Sequence, residues 1–263
     1  GVDFGNRFAL PTAVDGSVAD LRQLEQDSLR PVRIRFEDGI PRFVSARVPV
    51  PATLPDDPVA QALDFLARYP RLYRLEDPNT QLFLKRIKTD SLGEEHVFFG
   101  QHRDGVPLHA ATIAVHLRRP MCTGPQQTLV TGTGGNYVVS LPELPAPGLR
   151  AANAEAIAAA DAPGTGIQPI AMTKLMYFNT GLSSGRSLAS ETHLAWRVML
   201  RGFRASDGMG TVWMYFIDAH DGTVLRGRDQ SREDAPDKDF EIGSVLHQTS
   251  DTCFNFPWER VDD

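Results

Sequence analysis

The chain has 263 residues, 41% of them apolar, and a formal net charge of −6, a size that supports one large core or two modest ones. Lys and Arg are scattered among Asp and Glu, so no basic stripe can neutralise phosphates and no nucleic-acid partner is expected. No apolar run is long enough for a membrane span, and Gly1–Leu10 has neither the basic start nor the apolar centre of a signal peptide.

Only two cysteines are present, Cys122 and Cys253, with no second cysteine or histidine at finger spacing beside either, which excludes a zinc finger. In an exported protein they suit one disulfide, closing a loop of about 130 residues and stabilising the fold by roughly 4–5 kcal/mol on the chain-entropy model. Two unpaired thiols fit the spacing equally well, because Cα separation cannot be read from sequence.

In the first 54 residues, Val32–Phe36 and Pro41–Val50 read as extended pieces, the second alternating like an edge strand until its prolines stop it. Next comes the strongest helix signal. Asp56 or Asp57 is placed to cap it and Pro58 to start it; Val59, Ala62, Leu63, Leu66 and Ala67 follow at helical spacing, and Pro70 ends it. From Gln81 the period falls to two, predicting strands at 81–90, 94–103 and 110–119 with turns at Asp90–Gly93 and Arg103–Gly105. Residues 120–136, with glycines at 132, 134 and 135, read as a loop. Residues 138–148 read as the end of a strand running into a proline-rich linker, with a module boundary near Pro145.

Beyond that boundary, Asn153 is placed to cap an alanine-rich helix, and strands are predicted at 173–178, 193–201 and 211–218, with the turn Ala219–Thr223 leading into another extended piece. The expected fold class is α+β: two modules, each a helix packed on an antiparallel β-meander. The divisions are an extended segment 1–54, modules at 55–145 and 146–228, and a polar C-terminal tail or linker at 229–263.

Gly93, His96, Gln101, Gly105-Val106-Pro107, Val115 and His116 resemble the fungalysin/thermolysin propeptide module. Leu194–Val198, Trp213–Ala219 and Gly222–Leu225 resemble the propeptide-and-YPEB module that follows it in precursors of thermolysin-like zinc peptidases. The resemblance covers roughly residues 55–227. His102 stands where an aromatic residue is common, and Ala110 stands near a usual glycine. What it implies is a prodomain that acts as intramolecular chaperone and inhibitor of a secreted or periplasmic zinc metallopeptidase, in cis or in trans after cleavage. The tail would be the part that meets the enzyme, through Phe240, Ile242, Phe254, Phe256 and Trp258. A free-standing inhibitor or binding module built from the same units is the alternative.

No H-E-x-x-H occurs, so the chain is not expected to be an enzyme, and neither cofactor nor metal ligand is assigned. His96 and His102 would lie about 20 Å apart along one strand, too far for one ion, and no carboxylate is evident beside them. Asp218, His220 and Asp221 with Ser231 read as the chemistry of a turn rather than a triad or a calcium loop. Trp196, Trp213, Tyr215 and Phe216 read as core aromatics on adjacent strands.

Overall fold

The computed structural model describes residues 17–37, 39–119, 127–139, 141–184 and 192–230. Within them the chain forms two antiparallel sheets with helices packed against them, the α+β class expected.

The first unit begins with α1 (Ser17–Asp27), a helix the sequence reading did not foresee, followed by β1 (Arg33–Glu37) and β2 (Ile40–Pro49). In α2 (Pro58–Arg68), the Asp57 side chain accepts from the Val59 N–H and Pro58 occupies the first turn, so the expected cap and start are both present. Two single-turn helices follow, α3 (Pro70–Tyr73) and α4 (Pro78–Gln81). The side chain at the start of α3 makes no cap bond, and Asp20 of α1 supplies it, accepting from Arg71 and Leu72 N–H groups at 2.7 and 3.0 Å.

The remaining strands of this unit are β3 (Leu82–Thr89), β4 (Glu95–Arg103), β5 (Val106–Pro107), β6 (Thr112–Arg118) and β7 (Leu129–Asn136). They pair in the order β1-β2-β7-β6-β4-β3, with β5 on β4. Residues 33–49 therefore belong to the same sheet as the strands after α2. One face carries the core: Val44, Val48, Val97, Phe99, Ile113, Val115 and Leu117 from the strands, against Phe65, Leu66, Tyr69 and Tyr73 from the helices. Phe65 meets Tyr69 and Tyr73 edge-on at 5.2 and 6.1 Å. Each such side chain contributes roughly 1.5–3 kcal/mol by leaving water. Buried hydroxyls are matched as well, Tyr73 to Thr133 at 2.8 Å and Tyr137 to the Tyr73 carbonyl at 2.8 Å.

The expected loop over 120–136 is corrected in its second half, where β7 is an interior strand between β2 and β6. Glycine there is a packing requirement, since a Cβ on Gly132 would collide with the Val44 carbonyl. The expected strand end at Val138 is also corrected. Its backbone pairs with a side chain, Gln101, whose amide donates to the Val138 carbonyl at 2.8 Å and accepts from the Val138 N–H at 3.1 Å.

The second unit holds α5 (Ala151–Asp161), β8 (Gly164–Pro169), β9 (Lys174–Asn179), α6 (Thr180–Ser184), β10 (Thr192–Arg204), β11 (Gly210–Asp218) and β12 (Val224–Asp229). The sheet order is β12-β11-β10-β8, with β9 also on β10. Asn153 is not the cap of α5; the helix starts at Ala151, capped at Arg150 without a side-chain bond. Ala154 and Ala158 present a thin surface to Val198, Leu200, Trp213, Tyr215 and Ile217, leaving room for the two large rings. Trp196 flanks this core and donates its indole N–H to the Leu149 carbonyl at 2.9 Å.

The sheets meet through a third apolar cluster, Leu108, Ala111, Val138, Leu141, Tyr177 and Leu182. The turn after β5 lies against the other face of the second sheet: His109 N–H donates to Tyr177 O at 2.9 Å, and its ring sits 4.5 Å from Phe216, which stacks on Phe178 at 4.1 Å. No helix among the described residues is long and apolar enough to cross a membrane.

Candidate functional site

The first sheet ends in β3, which pairs with β4 on one side and with no strand on the other among the described residues. Its sequence, Leu-Phe-Leu-Lys-Arg-Ile-Lys-Thr, opens with three apolar residues, and its pairing with β4 shifts register between Leu84 and Arg86. Phe83, Leu84 and Ile87 are 39%, 45% and 43% exposed, all on this strand. The Phe83 ring covers Gly100 of β4 and meets His102 edge-on at 5.7 Å. Arg86 lays its guanidinium 4.5 Å over Phe98, and Lys85 donates to Thr112 Oγ1 at 3.0 Å. Lysines and a bulge are the usual guards of a sheet edge against unwanted pairing.

At the end of this strand, the turn from Asp90 to Glu94 gathers charge. Gly93 takes φ +76° there, and Asp90 Oδ1 accepts from Leu92 and Glu94 N–H groups at 2.8 and 2.9 Å. Its other oxygen faces His96 Nε2 at 3.3 Å, while His96 Nδ1 lies 2.6 Å from Nδ1 of His116, its register partner on β6. Glu94 accepts from the Thr131 hydroxyl of β7. One ligand atom each from Asp90, Glu94 and His96 falls within 4.8 Å of the others. Burial, and then the neighbouring His96, push His116 down to about 4. Burial alone would raise Asp90, but the Glu94 and Leu92 N–H groups and then His96 outweigh it and hold the carboxyl below its usual range.

The carboxylates not evident beside His96 in the sequence are therefore Asp90 and Glu94, brought round by the turn. His102 lies elsewhere, at the corner where its Nδ1 accepts from Gly105 N–H at 3.3 Å. The signal in the sequence was the run Asp90-x-x-x-Glu94-x-His96, with His116 across the sheet legible only from register.

In the second unit Asp218 accepts from His193 Nδ1 at 2.8 Å and from the His220 N–H at 2.9 Å, and its backbone N–H donates to Thr223 O. Together with Gly222 at φ +82° these bonds close the β11–β12 turn, as its composition led one to expect. Ser231 lies outside the described residues, as do Cys122, Cys253, Phe240, Ile242, Phe254, Phe256 and Trp258.

No family model matches the chain, and no curated protein does. Among solved structures it is similar to the Bacillus megaterium YpeB C-terminal domain, at 11% identity over 84% of this chain and 99% of that one, with a TM-score of 0.33, a likeness too slight to argue from.

Proposed function

We propose that the chain is the non-catalytic prodomain of a secreted thermolysin-like zinc metallopeptidase, acting as its folding assistant and inhibitor. The observation that carries the reading is the edge at β3: among the described residues its eight residues pair with β4 alone, with Phe83, Leu84 and Ile87 part-exposed along it. An extended segment of a peptidase domain can add to such an edge, backbone bonds supplying affinity and the apolar side chains supplying choice. A surface that binds the folded enzyme better than the unfolded one favours folding by mass action.

The motif residues support the reading through the jobs they hold. Gly93 and Gly105 take the left-handed turns before and after β4, Gln101 clamps Val138, and Val106-Pro107 docks on β4 and leads into the junction with the second sheet. In the second unit the aromatic run falls on β11 beside β10, with Trp213 and Tyr215 closing the α5 core and Phe216 stacking on Phe178 at the other face.

The test takes a thermolysin-like zinc peptidase encoded in the same genome. With the purified full chain added, substrate cleavage should slow as chain approaches the enzyme's concentration, and denatured peptidase domain should regain more activity on dilution. No change in either assay, for any such peptidase of that genome, overturns the proposal.

A further inference from the structure

We infer that Asp90, Glu94 and His96 form a binding site for one divalent cation of the zinc type at the turn between β3 and β4. Asp90 spends Oδ1 on two backbone N–H groups, which fixes the carboxylate plane and leaves Oδ2 directed at His96 Nε2. The 3.3 Å between those atoms is longer than the roughly 2.7–2.9 Å of a charge-assisted hydrogen bond. It is close to the spacing of two ligands that each stand about 2.0–2.2 Å from one tetrahedral ion. Glu94 offers a third atom, and all three lie within 4.8 Å of one another, so a small closing movement would complete the set.

Each of the three side chains is held from behind, the arrangement that orients metal ligands. His116 lies against the far nitrogen of His96 at 2.6 Å, Thr131 donates to Glu94, and the turn's own N–H groups hold Asp90. If His116 Nδ1 accepts, His96 Nδ1 carries the proton and Nε2 turns a lone pair toward the carboxylates, where a cation satisfies all three groups. With the opposite tautomers the same atoms make a closed hydrogen-bond chain that needs no ion, and measurement separates the two.

The donor set selects the class of ion. One imidazole nitrogen with two carboxylate oxygens is too nitrogen-rich and too small a shell for calcium and too hard for copper(I), and it suits zinc with a further position left for water or a partner's side chain. Lys88 stands opposite His96 in the register, on the same face, and its charge opposes the ion. The inference does not rest on the prodomain reading, and it carries no peptidase chemistry.

The full chain, stripped with a chelator, would be titrated with zinc chloride alone by calorimetry and equilibrium dialysis, with cobalt(II) as a spectroscopic probe. One ion per chain is expected, with a rise in melting temperature at excess zinc and a cobalt spectrum that includes a nitrogen ligand. His96→Ala and Glu94→Gln should each abolish it, and His116→Ala should weaken it about 10–100-fold. His193→Ala, in the other unit, should leave it unchanged. Absence of stoichiometric binding overturns the site, and so does wild-type binding by the folded His96→Ala and Glu94→Gln chains; circular dichroism of each variant separates lost ligation from lost folding.

Discussion

Gly132 stands where β7 passes between β2 and β6, and its missing side chain is what lets the backbones close. The first atom a Cβ would strike is the Val44 carbonyl oxygen, part of a strand that cannot rotate aside. Gly132→Ala is expected to destabilise by roughly 2–3 kcal/mol, the scale of overpacking a dense interior, read as a lower denaturant midpoint at unchanged slope. A midpoint equal to wild type would contradict the β2–β7 register. Asp218 makes a different demand, for charge. Burial opposes its ionisation, but the His220 N–H and His193, with further bonds, hold its carboxyl below the usual value. A lowered folded-state value means that the unfolded chain binds the proton more readily. The stabilisation is therefore complete above the ordinary carboxylate range and lost as pH falls through it toward the folded value. Asp218→Asn should destabilise by about 1–3 kcal/mol at neutral pH, with the difference from wild type shrinking in acid; a difference constant from neutral pH down to pH 2 would mean that the charge is not what the turn uses.

Among the elements, those with a local signal were legible and those defined by their neighbours were not. Asp57-Pro58 and the apolar spacing behind them placed α2, and a period of two placed β4 and β6, because cap chemistry and period two are written in adjacent residues. The strand β7 reads as loop because Gly132, Gly134 and Gly135 carry no propensity for strand, and the need for Gly132 and Gly135 arises from β2 and β6. α1 has a single fully buried side chain, Leu24, too little for a periodic stripe, and its role as the cap of α3 is tertiary. The Asp90–Glu94–His96 group was half visible, its turn local and its His116 support set by sheet register. β3 was placed from sequence, but that it ends the sheet depends on which strands pair elsewhere. The edge reading is tested by charge: Ile87→Lys and Leu84→Lys, on side chains already exposed, should leave the melting temperature within about a degree or two of wild type, as surface substitutions do. Both should weaken inhibition of the peptidase about tenfold or more if these side chains enter its pockets. Equal inhibition by both variants would remove β3 from the interface.

At the scale of the whole molecule the charge is divided unevenly. Residues 231–263 hold nine acidic and three basic residues, which accounts for the entire net charge of −6 and leaves residues 1–230 balanced. The same stretch carries the apolar anchors Phe240, Ile242, Phe254, Phe256 and Trp258. Acidic stretches with spaced aromatic anchors suit a groove that takes extended chain, so under the proposed function this stretch is expected to be the blocking element. The competing expectation is that these residues pack back on the second unit, pinned by a Cys122–Cys253 bond. A chain ended after Gln230 separates the two. That end point keeps Asp229, whose carboxylate accepts from Thr211 Oγ1 at 2.6 Å and pairs with Arg204 at 3.1 Å, so β12 retains its anchoring. If residues 231–263 block the cleft, the shortened chain should melt as the full one does, still assist refolding through β3, and lose inhibition by about a hundredfold, the worth of one or two buried anchors. If it inhibits equally well, the blocking surface lies on the sheets. If instead it melts well below the full chain, those residues were part of the fold, and the cysteine pair becomes the next position to test.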